Sequence, residues 1–341
     1  MPNQRQLIRE SFLNNKVIFV DGFVGGGKTL LGQIIASLDS VEMWVHRPLV
    51  EQVCGLYAHN EINEASAISL LRCCFDNEAY SQALLRDSNF RYQDHSSIFK
   101  YPKKIEYLKR IFNSNDQDLY NQFLEDDRTL HFMTHSITAI SEPIFKSLGN
   151  RLIFCRLIRC PSSIYMLNHL ANWSKRWGKE PRNGMICIDV HGEKVPYFIV
   201  NRVEEYAKAD EYERAIIMLE EWLVEGHKIS DKKSDKIIEF PFEKFVFKPH
   251  EFIEKVSLKL GKTINQKTIK EMKKQRVPRK SLDDAPKNHV FEIRGRKKPE
   301  KHLPPKDQIL KELKELKNFL KPHVFKRVQI LSDEYVSRYL D

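Results

Sequence analysis

The sequence of 341 residues has no apolar run that approaches the roughly 20 residues a membrane-spanning helix needs. Its amino-terminal stretch, MPNQRQLIRESFLNN, is polar and lacks the apolar core of a secretory signal peptide. We therefore expect a protein with no membrane span that stays in the cytoplasm, where it is made.

Cysteine is also sparse and unpatterned. The six cysteines form no CxxC pair and show no zinc-like spacing with histidine. This excludes a disulfide scaffold and a cysteine-based zinc site, so we expect reduced thiols and no metal site. The sequence also lacks a zinc-finger spacing, an aromatic ribonucleoprotein motif and a recognition-helix signature.

Basic residues outnumber acidic ones, 56 against 46, which gives a net charge of +10. Such an excess favours anionic partners, including nucleotides, sulfated or phosphorylated molecules, nucleic acid and lipid head groups. An apolar fraction of 41% is ample for a buried core. The composition thus predicts a folded protein that binds an anion, without identifying the anion.

Short apolar runs alternate with helical periodicity along the first three quarters of the chain. Runs at 17–20, 129–135, 151–158 and within KIIEFPFEKF at 236–245 read as strands, and residues 61–127, which contain no glycine, carry mainly helical periodicity. Strands that alternate with helices favour a parallel sheet. We predict a three-layer α/β fold with a central parallel sheet.

Two further features lie outside that sheet. MICIDV and VPYFIV, joined by HGEK, predict an inserted hairpin over 185–200. The chain ends in two amphipathic stripes, formed by Ile309, Leu313, Leu316 and Leu320, and by Val324, Val328, Leu331 and Tyr335. We predict an α/β domain over 1–275, with a basic loop and C-terminal helices over 276–341 packed on the same domain.

A glycine-rich loop separates the first predicted strand from the first helix. It satisfies the pattern G-x-x-x-x-G-K-[ST] of a phosphate-binding P-loop with the residues Gly22, Phe23, Val24, Gly25, Gly26, Gly27, Lys28 and Thr29. Glycines let backbone N–H groups turn toward phosphate oxygens, and the following helix adds its positive end. The loop therefore predicts a P-loop-type fold that binds a phosphate or a similar group.

The residues around this loop leave its chemistry open. Metal-dependent phosphoryl transfer usually uses a carboxylate at the end of a neighbouring strand, but those strands end in Thr134-His135 and in Arg159-Cys160-Pro161. Asp21 precedes the loop and Glu239 lies in the late strand, so a metal ion is not excluded, although the sequence gives no support for one. An N-K-x-D sequence for guanine recognition is absent.

From Val17 to Gly261 the order of these segments resembles the sulfotransferase family, which transfers a sulfuryl group from 3′-phosphoadenosine 5′-phosphosulfate without a metal. The family's 5′-phosphosulfate loop falls on Gly22 to Thr29, and its lysine–threonine–histidine segment falls on Met133-Thr134-His135. Its 3′-phosphate segment, R-x-P, falls on Arg159-Cys160-Pro161. Its late signature is similar to FPFEKFVFKPHEFIEKVSLKLG at 240–261.

The sequence departs from the family pattern at three points. The family's loop lysine would fall near Gly25, whereas this loop has Lys28, the position used by nucleotide kinases. Met133 replaces the lysine that precedes threonine and histidine. The serine expected to bind the 3′-phosphate falls on Leu167, beside Asn168.

The family resemblance implies a role for particular residues. The loop, with Lys28 and Thr29, would bind the 5′-phosphosulfate, and Arg159 would bind the 3′-phosphate. Late basic residues could replace the missing serine; the candidates are Arg276, Arg279 and Lys280, or Arg294 and Arg296 with the lysines up to Lys298. His135 would act as the catalytic base, although a histidine that only bonds the strand end is the alternative, and His46 and Glu51 are further candidates for the base.

The acceptor is expected to be a hydroxyl- or amine-bearing carbohydrate, lipid or small molecule. Trp173 and Trp177 could flank its pocket or simply pack into the core. The sequence therefore predicts a sulfotransferase. The alternatives are an ATP- and Mg²⁺-dependent kinase of a small molecule, with a carboxylate such as Asp21 near Lys28, and a nucleotide- or nucleic-acid-binding protein without transfer chemistry.

Overall fold

The buried apolar runs form strands, as their length and composition indicate. A computed structural model describes residues 7–181, 185–282, 284 and 303–341. Its strands are β1 (Val17–Asp21), β2 (Leu130–Met133), β3 (Leu152–Ile158), β4 (Cys187–Val190), β5 (Glu193–Pro196) and β6 (Ile237–Pro241). Four of them form a sheet in the order β2-β1-β3-β6, and all neighbours in this sheet are parallel.

Helices connect and cover these strands. They are α1 (Lys28–Ala36), α2 (Pro48–Ala58), α3 (Glu64–Leu84), α4 (Lys104–Ile111), α5 (Asp116–Glu125), α6 (Glu142–Leu148), α7 (Ile164–Ser174), α8 (Val203–Lys208), α9 (Glu211–Lys232), α10 (Phe242–Phe245), α11 (Pro249–Leu260), α12 (Gln266–Lys274), α13 (Pro305–Lys317) and α14 (Pro322–Tyr339). Single 3₁₀ turns cover Ile98–Lys100, Thr138–Ile140 and Gly149–Arg151. Within the described ranges, no helix combines the length and the apolarity needed to cross a membrane.

The two faces of β1 show why the fold has three layers. Val17 and Phe19 lie in one apolar cluster with residues of α2, α3, α6, α7 and α9. Ile18 and Val20 lie in a second cluster with residues of α1, α11 and α12. Successive side chains of a strand point to opposite faces, so a strand that is apolar throughout must be covered on both. The predicted three-layer α/β fold with a central parallel sheet is confirmed.

The predicted hairpin is also present, and it lies outside the central sheet. Strands β4 and β5 pair antiparallel as a separate two-stranded sheet. The turn between them places His191 at φ 52° and Gly192 at φ 88°, and such positive φ values suit glycine at little cost.

The C-terminal helices pack onto the same core as the sheet. All eight residues of the two predicted stripes are buried, from Ile309 on α13 to Tyr335 on α14, and they belong to the apolar cluster that includes Phe19. The helical stripes are therefore confirmed. The division of the chain between residues 275 and 276 stays a prediction.

Two buried charged groups tie segments together. Glu42 is fully buried and pairs with Arg110 of α4 at 2.9 Å and with Arg128, just before β2, at 3.0 Å. These two guanidinium groups and a hydrogen bond from Tyr107 hold the pKa of the Glu42 carboxyl at about 2, although burial opposes the shift. The two arginines therefore keep the buried Glu42 side chain ionised.

Arg156, on β3, is the second buried charge. Its Nη1 donates a hydrogen bond to Glu239 of β6 at 2.9 Å, and its Nη2 donates to the Trp222 carbonyl at 3.1 Å. The guanidinium lies against Gly226 of α9, where an added Cβ would overlap it. The absence of a side chain at position 226 makes room for this arginine.

Candidate active site

The glycine-rich loop joins β1 to α1, as its sequence predicts. Gly25 and Gly27 have φ values of 80° and 106°, in the left-handed region that favours glycine. A Cβ at Gly27 would approach the ring of Phe242 to 2.6 Å. The loop therefore needs glycine at position 27 for both its backbone conformation and its contact with α10.

Backbone N–H groups of this loop are available to a ligand. Within the described residues, no hydrogen bond is made by the N–H groups of Gly25, Gly27, Lys28 or Thr29. Helix α1 begins after Gly27 without a side-chain cap. Unpaired N–H groups at the positive end of a helix are suited to binding the oxygens of an anion.

Lys28 is the only lysine of the loop, and its side chain is buried. Its Nζ donates a hydrogen bond to the Gly22 carbonyl oxygen. Burial lowers the pKa of Lys28 to about 8, although the negative charges of Asp21 and Glu51 oppose this shift. An anion bound in the loop would favour the charged form of this amine.

Asp21 precedes the loop, but its carboxylate is occupied by other contacts. Oδ1 accepts hydrogen bonds from Thr134 Oγ1 at 3.0 Å and from the Ile137 N–H at 3.2 Å. Oδ2 accepts from the Thr138 N–H at 2.9 Å and from Thr138 Oγ1 at 2.5 Å. These bonds fasten the segment that follows β2 to the end of β1, so Asp21 has a clear structural role.

His135, Glu51 and His46 come together next to the loop. The Glu51 Oε1 atom accepts a hydrogen bond from the His135 N–H at 2.7 Å and lies 3.1 Å from His135 Nδ1 and 3.2 Å from His46 Nε2. The two imidazole rings are nearly perpendicular, with centroids 4.7 Å apart. Tyr197, after β5, donates to Glu51 Oε2 at 3.0 Å.

The charges of this cluster determine its protonation. The pKa of Glu51 is well below its ordinary value because His135 and His46 offset the cost of burial. The pKa of His135 is also lowered, by burial and by the nearby charge of Lys28, against the opposing effect of Glu51. At neutral pH the cluster therefore holds an ionised carboxylate and a neutral His135.

Among the described residues, these three side chains are placed so that they could hold a metal ion. One ligand atom from each of His46, Glu51 and His135 lies within 4.8 Å of the others, and two imidazoles with a carboxylate are a common ligand set for zinc. However, Glu51 Oε1 already accepts the His135 N–H, which a metal ligand in this position would have to share. The same contact between Glu51 and the His135 ring is also typical of a carboxylate that orients a histidine.

Arg159 lies beside the loop, at the end of β3. Its Nη1 donates a hydrogen bond to the Gly25 carbonyl oxygen at 2.9 Å, and its guanidinium carbon lies 4.6 Å from the ring centroid of Phe242. Its Nε is 3.9 Å from Oε1 of Glu243. The structure thus brings Arg159 to the glycine-rich loop.

Glu243 is a buried carboxyl that sequence reasoning did not identify. Burial raises its pKa, although Arg159 opposes the shift. Oε2 accepts hydrogen bonds from the Cys160 N–H at 3.2 Å and from Tyr335 of α14 at 2.5 Å. The C-terminal helix thereby helps to fix the segment that carries Arg159.

The late basic residues are placed differently from one another. Arg279 is buried, with its guanidinium carbon 5.4 Å from the ring centroid of Phe242, on the same ring as Arg159. Arg276 is more exposed and pairs with Asp284 at 3.3 Å. The group Arg294–Lys298 lies outside the described residues.

A cavity of about 290 Å³ opens next to His135. We call it the His135 cavity. Its polar lining consists of the histidine–glutamate cluster and Ser136, and its apolar lining is formed by Val24 and by Phe23, Leu170, Trp173, Trp177, Met185 and Phe198. Both predicted tryptophans therefore line a cavity, and Trp177 is in addition buried in the core.

Position 167, where the family pattern has a serine, is a core position. Leu167 is fully buried, and the neighbouring Asn168 accepts a hydrogen bond from Tyr212 at 2.8 Å.

Sequence reasoning also missed Tyr197 and Phe242. Phe242 follows β6 directly and so could have been suspected, whereas no local pattern marks Tyr197.

Comparison with known proteins yields likenesses of structure alone. No family model and no curated protein matches the sequence. The structure is similar to the sulfotransferase domain of the Synechococcus PCC 7002 olefin synthase, at 12% identity and a TM-score of 0.47, over 97% of this chain and 98% of that one. The sulfotransferase domain from the curacin biosynthetic pathway gives 12% identity and a TM-score of 0.47 over 94% and 97%.

A sulfotransferase from Mycobacterium tuberculosis H37Rv is more distant, at 11% identity and a TM-score of 0.38 over 76% of this chain and 71% of that one. The proteins in this comparison are sulfotransferases, the family that the sequence resembles. Because the likeness is distant, the function of this chain has to be argued from its own residues.

Proposed function

We propose that this protein is a sulfotransferase that moves a sulfuryl group from 3′-phosphoadenosine 5′-phosphosulfate to a hydroxyl or amine. The observation that carries the proposal is the position of His135. It lines the cavity together with Phe23 and Val24 of the glycine-rich loop, and burial together with the charge of Lys28 lowers its pKa. A base thus lies between the loop that would hold the donor and the cavity that would hold the acceptor.

The donor fits the residues around the loop. The unpaired N–H groups of Gly25, Gly27, Lys28 and Thr29 would bind the 5′-phosphosulfate. Arg159 would bind the 3′-phosphate, and Arg279, which contacts the same Phe242 ring, would assist where the family serine is replaced by Leu167. Arg276 remains a weaker candidate because it pairs with Asp284.

Transfer needs one proton acceptor and one group that stabilises the leaving oxygen. His135 would accept the proton of the acceptor hydroxyl as its oxygen bonds to sulfur. The bond between sulfur and the bridging oxygen breaks, and its electron pair stays on the departing adenosine 3′,5′-bisphosphate. Lys28, charged below a pKa of about 8, would stabilise that oxygen together with the loop N–H groups.

The tautomer of His135 supports this role. An ionised carboxylate accepts hydrogen bonds and donates none, so Glu51 requires the proton of the neutral ring to lie on Nδ1. The Nε2 atom then carries the lone pair that a base needs. Glu51 is therefore better suited to orient His135 than to act as the base itself.

The kinase alternative finds less support. It expects a carboxylate such as Asp21 to hold Mg²⁺ near the terminal phosphates. Both oxygens of Asp21 accept hydrogen bonds from the segment after β2, including two from Thr138. Recruiting this carboxylate to a metal would break contacts that fasten β1 to its neighbour. A protein that binds nucleotides without transfer chemistry would have no need of the oriented His135.

Calorimetry tests the proposal directly. We would titrate adenosine 3′,5′-bisphosphate, and separately ATP with Mg²⁺, into the wild type, the Lys28→Ala variant and the Lys314→Ala variant. Lys314 is exposed on α13 and serves as a matched control. We expect binding of the bisphosphate, weakened at least about tenfold, or 1.4 kcal/mol, by Lys28→Ala alone. Binding of ATP with Mg²⁺ and no binding of the bisphosphate would contradict the proposal.

A further inference from the structure

The His135 cavity has two chemically different parts. The ring of Phe198 lies 6.1 Å from that of Trp177 and 6.3 Å from that of Phe23, and Trp173 stacks on Trp177 with centroids 5.7 Å apart. These rings form a continuous aromatic wall. The polar lining residues His46, Glu51 and His135 form a separate, mutually bonded cluster. A ligand in the cavity would have its reactive end at this cluster and its remainder against aromatic rings.

The charges of the lining restrict the ligand further. Among the described residues that line the cavity, none is lysine or arginine, and Glu51 is the one carboxylate. A ligand with its own carboxylate or sulfate would find no basic partner among the described lining residues, which already include the negative charge of Glu51. Burying such an unpaired charge costs several kcal/mol. The described lining therefore discriminates against anionic compounds.

The aromatic wall also disfavours compounds with many hydroxyl groups. Each buried hydroxyl needs a hydrogen-bond partner, and the wall offers chiefly carbon atoms. The few polar groups of the lining lie around His135, where a single hydroxyl would be placed. A carbohydrate would thus leave most of its hydroxyl groups unpaired in this cavity.

The volume sets the size of the ligand. An apolar protein cavity of about 150 Å³ holds one benzene molecule. The His135 cavity, at about 290 Å³, is about twice as large. Its size suits a compound of about two rings.

Resting on the proposed function, we infer that the acceptor is an uncharged and largely apolar hydroxyl compound of about two rings, bound against the aromatic wall with its hydroxyl at His135. This narrows the acceptor from carbohydrates, lipids, amines and small molecules to one chemical class. The class follows from the lining charge, the aromatic wall and the volume taken together.

Three acceptors of defined chemistry test the inference. 2-Naphthol fits the class, 6-hydroxy-2-naphthoate adds only a carboxylate to the same rings, and glucose is neutral but rich in hydroxyl groups. We would measure transfer of the sulfuryl group from 3′-phosphoadenosine 5′-phosphosulfate to each. We expect kcat/KM for 2-naphthol to exceed that for either other compound by at least about 100-fold. Equal or better use of glucose or of the naphthoate would overturn the inference while leaving the proposed function intact.

A charge placed in the wall should change this preference. Trp173 is half-buried, so the Trp173→Arg variant introduces a cation at the edge of the cavity. We expect it to raise the use of 6-hydroxy-2-naphthoate relative to 2-naphthol at least about tenfold. The control is Phe112→Arg, at an aromatic residue that is 87% exposed, and its preference should equal that of the wild type. An unchanged preference in a folded Trp173→Arg variant would contradict the inference.

Calorimetry of the acceptors alone separates the two proposals. If adenosine 3′,5′-bisphosphate does not bind, the proposed function fails, yet 2-naphthol should still bind the wild type more tightly than 6-hydroxy-2-naphthoate does. Such a preference would support the assignment of the cavity. Equal affinity for the two compounds, or binding of neither, would overturn it.

Discussion

The Glu51 carboxylate is bonded to both the backbone and the ring of His135, through Oε1 at 2.7 Å from the backbone nitrogen and 3.1 Å from Nδ1. The backbone bond fixes the start of the loop that carries His135, and the ring contact fixes the tautomer. In the proposed mechanism Glu51 is thereby a positioning residue, whose effect on the reaction passes through the histidine. This relationship leads to the first prediction.

Replacing Glu51 by glutamine should slow transfer and shift its pH dependence. Glu51→Gln removes a negative charge that raises the pKa values of both His135 and Lys28. We expect kcat to fall about 10²-fold, in the range usual for a misplaced general base. Both limbs of the kcat/KM profile should move to lower pH. A purely structural role for Glu51 would reduce activity without moving either limb.

The assignment of His135 as the base is tested by comparing His135→Asn with the control His46→Asn. His46 contacts the same carboxylate oxygen, but in the proposed mechanism it abstracts no proton. We expect His135→Asn to lose at least about 10²-fold in kcat, and His46→Asn to lose much less. The reverse order would make His46 the base.

The proposed mechanism predicts that transfer by the wild-type protein has a bell-shaped pH profile with a basic limb near pH 8. His135 must be neutral to accept a proton, and its pKa lies below the ordinary 6.5, so activity rises with pH through that lowered value. Lys28 must be charged to stabilise the leaving oxygen, and its pKa of about 8 sets the loss of activity at higher pH. The measurement is kcat/KM from pH 5 to 10, which reports the free enzyme. A profile that keeps rising beyond pH 9 would exclude Lys28 from this role.

Arg159→Ala should weaken binding of the 3′-phosphate selectively. Arg159 lies between the Gly25 carbonyl and the ring of Phe242, next to the loop. We expect the dissociation constant of adenosine 3′,5′-bisphosphate to rise at least about tenfold, since a charge-assisted contact is lost. Adenosine 5′-phosphate, which has no 3′-phosphate, should bind nearly as before.

Titration of the same two ligands into Arg279→Ala and Arg276→Ala would show which late arginine assists. Arg279→Ala should weaken binding of adenosine 3′,5′-bisphosphate as Arg159→Ala does, because both arginines contact the ring of Phe242. Arg276→Ala should leave this affinity unchanged, because Arg276 is exposed and pairs with Asp284. Arg86→Ala, in an exposed pair with Asp116, is the control. A similar loss for both nucleotides in Arg159→Ala would argue against contact with the 3′-phosphate.

Glu42→Gln should destabilise the fold in a pH-dependent way. The folded pKa of Glu42, about 2, lies below the ordinary 4.5, so its contribution to stability is present above pH 4.5 and is lost as the pH falls toward 2. Removing this charge leaves Arg110 and Arg128 without their buried partner, at a cost of about 3–5 kcal/mol at pH 7. Urea unfolding at several pH values measures both effects.

The matched control is Glu64→Gln, which breaks an exposed pair with Lys146. Exposed pairs contribute about 0–1 kcal/mol, so this variant should unfold nearly like the wild type. If Glu42→Gln lowers the free energy of unfolding no more than Glu64→Gln does, the ion pairs of Glu42 with Arg110 and Arg128 do not stabilise the fold.

The local part of the site could be predicted from sequence, because the loop, its strand and its helix are contiguous. Glycines, a lysine and a threonine between an apolar run and a helical stripe predict a turn between a strand and a helix, and the structure has this turn between β1 and α1. The ends of β2 and β3 were predictable for a similar reason, since parallel strands present their carboxyl ends at one edge of the sheet. His135 and Arg159 follow from that rule.

The contacts between distant segments could not be predicted. Glu51 precedes His135 by 84 residues, and their contact depends on how α2 packs against the sheet, which no local pattern encodes. Buried charges pose the same difficulty. The sequence does not show that the charged groups of Asp21 and Arg156 are buried, and only their partners in three dimensions explain their burial.

The overlap of Arg156 with an added Cβ at position 226 has a consequence for the redesign of this protein. Gly226 has no side chain, and the guanidinium of Arg156 fills the space that this leaves beside helix α9. An alanine at position 226, ordinarily a favourable exchange within a helix, becomes harmful here unless the residue at 156 is shortened as well. The two positions, 70 apart in the chain, therefore have to be altered as a pair.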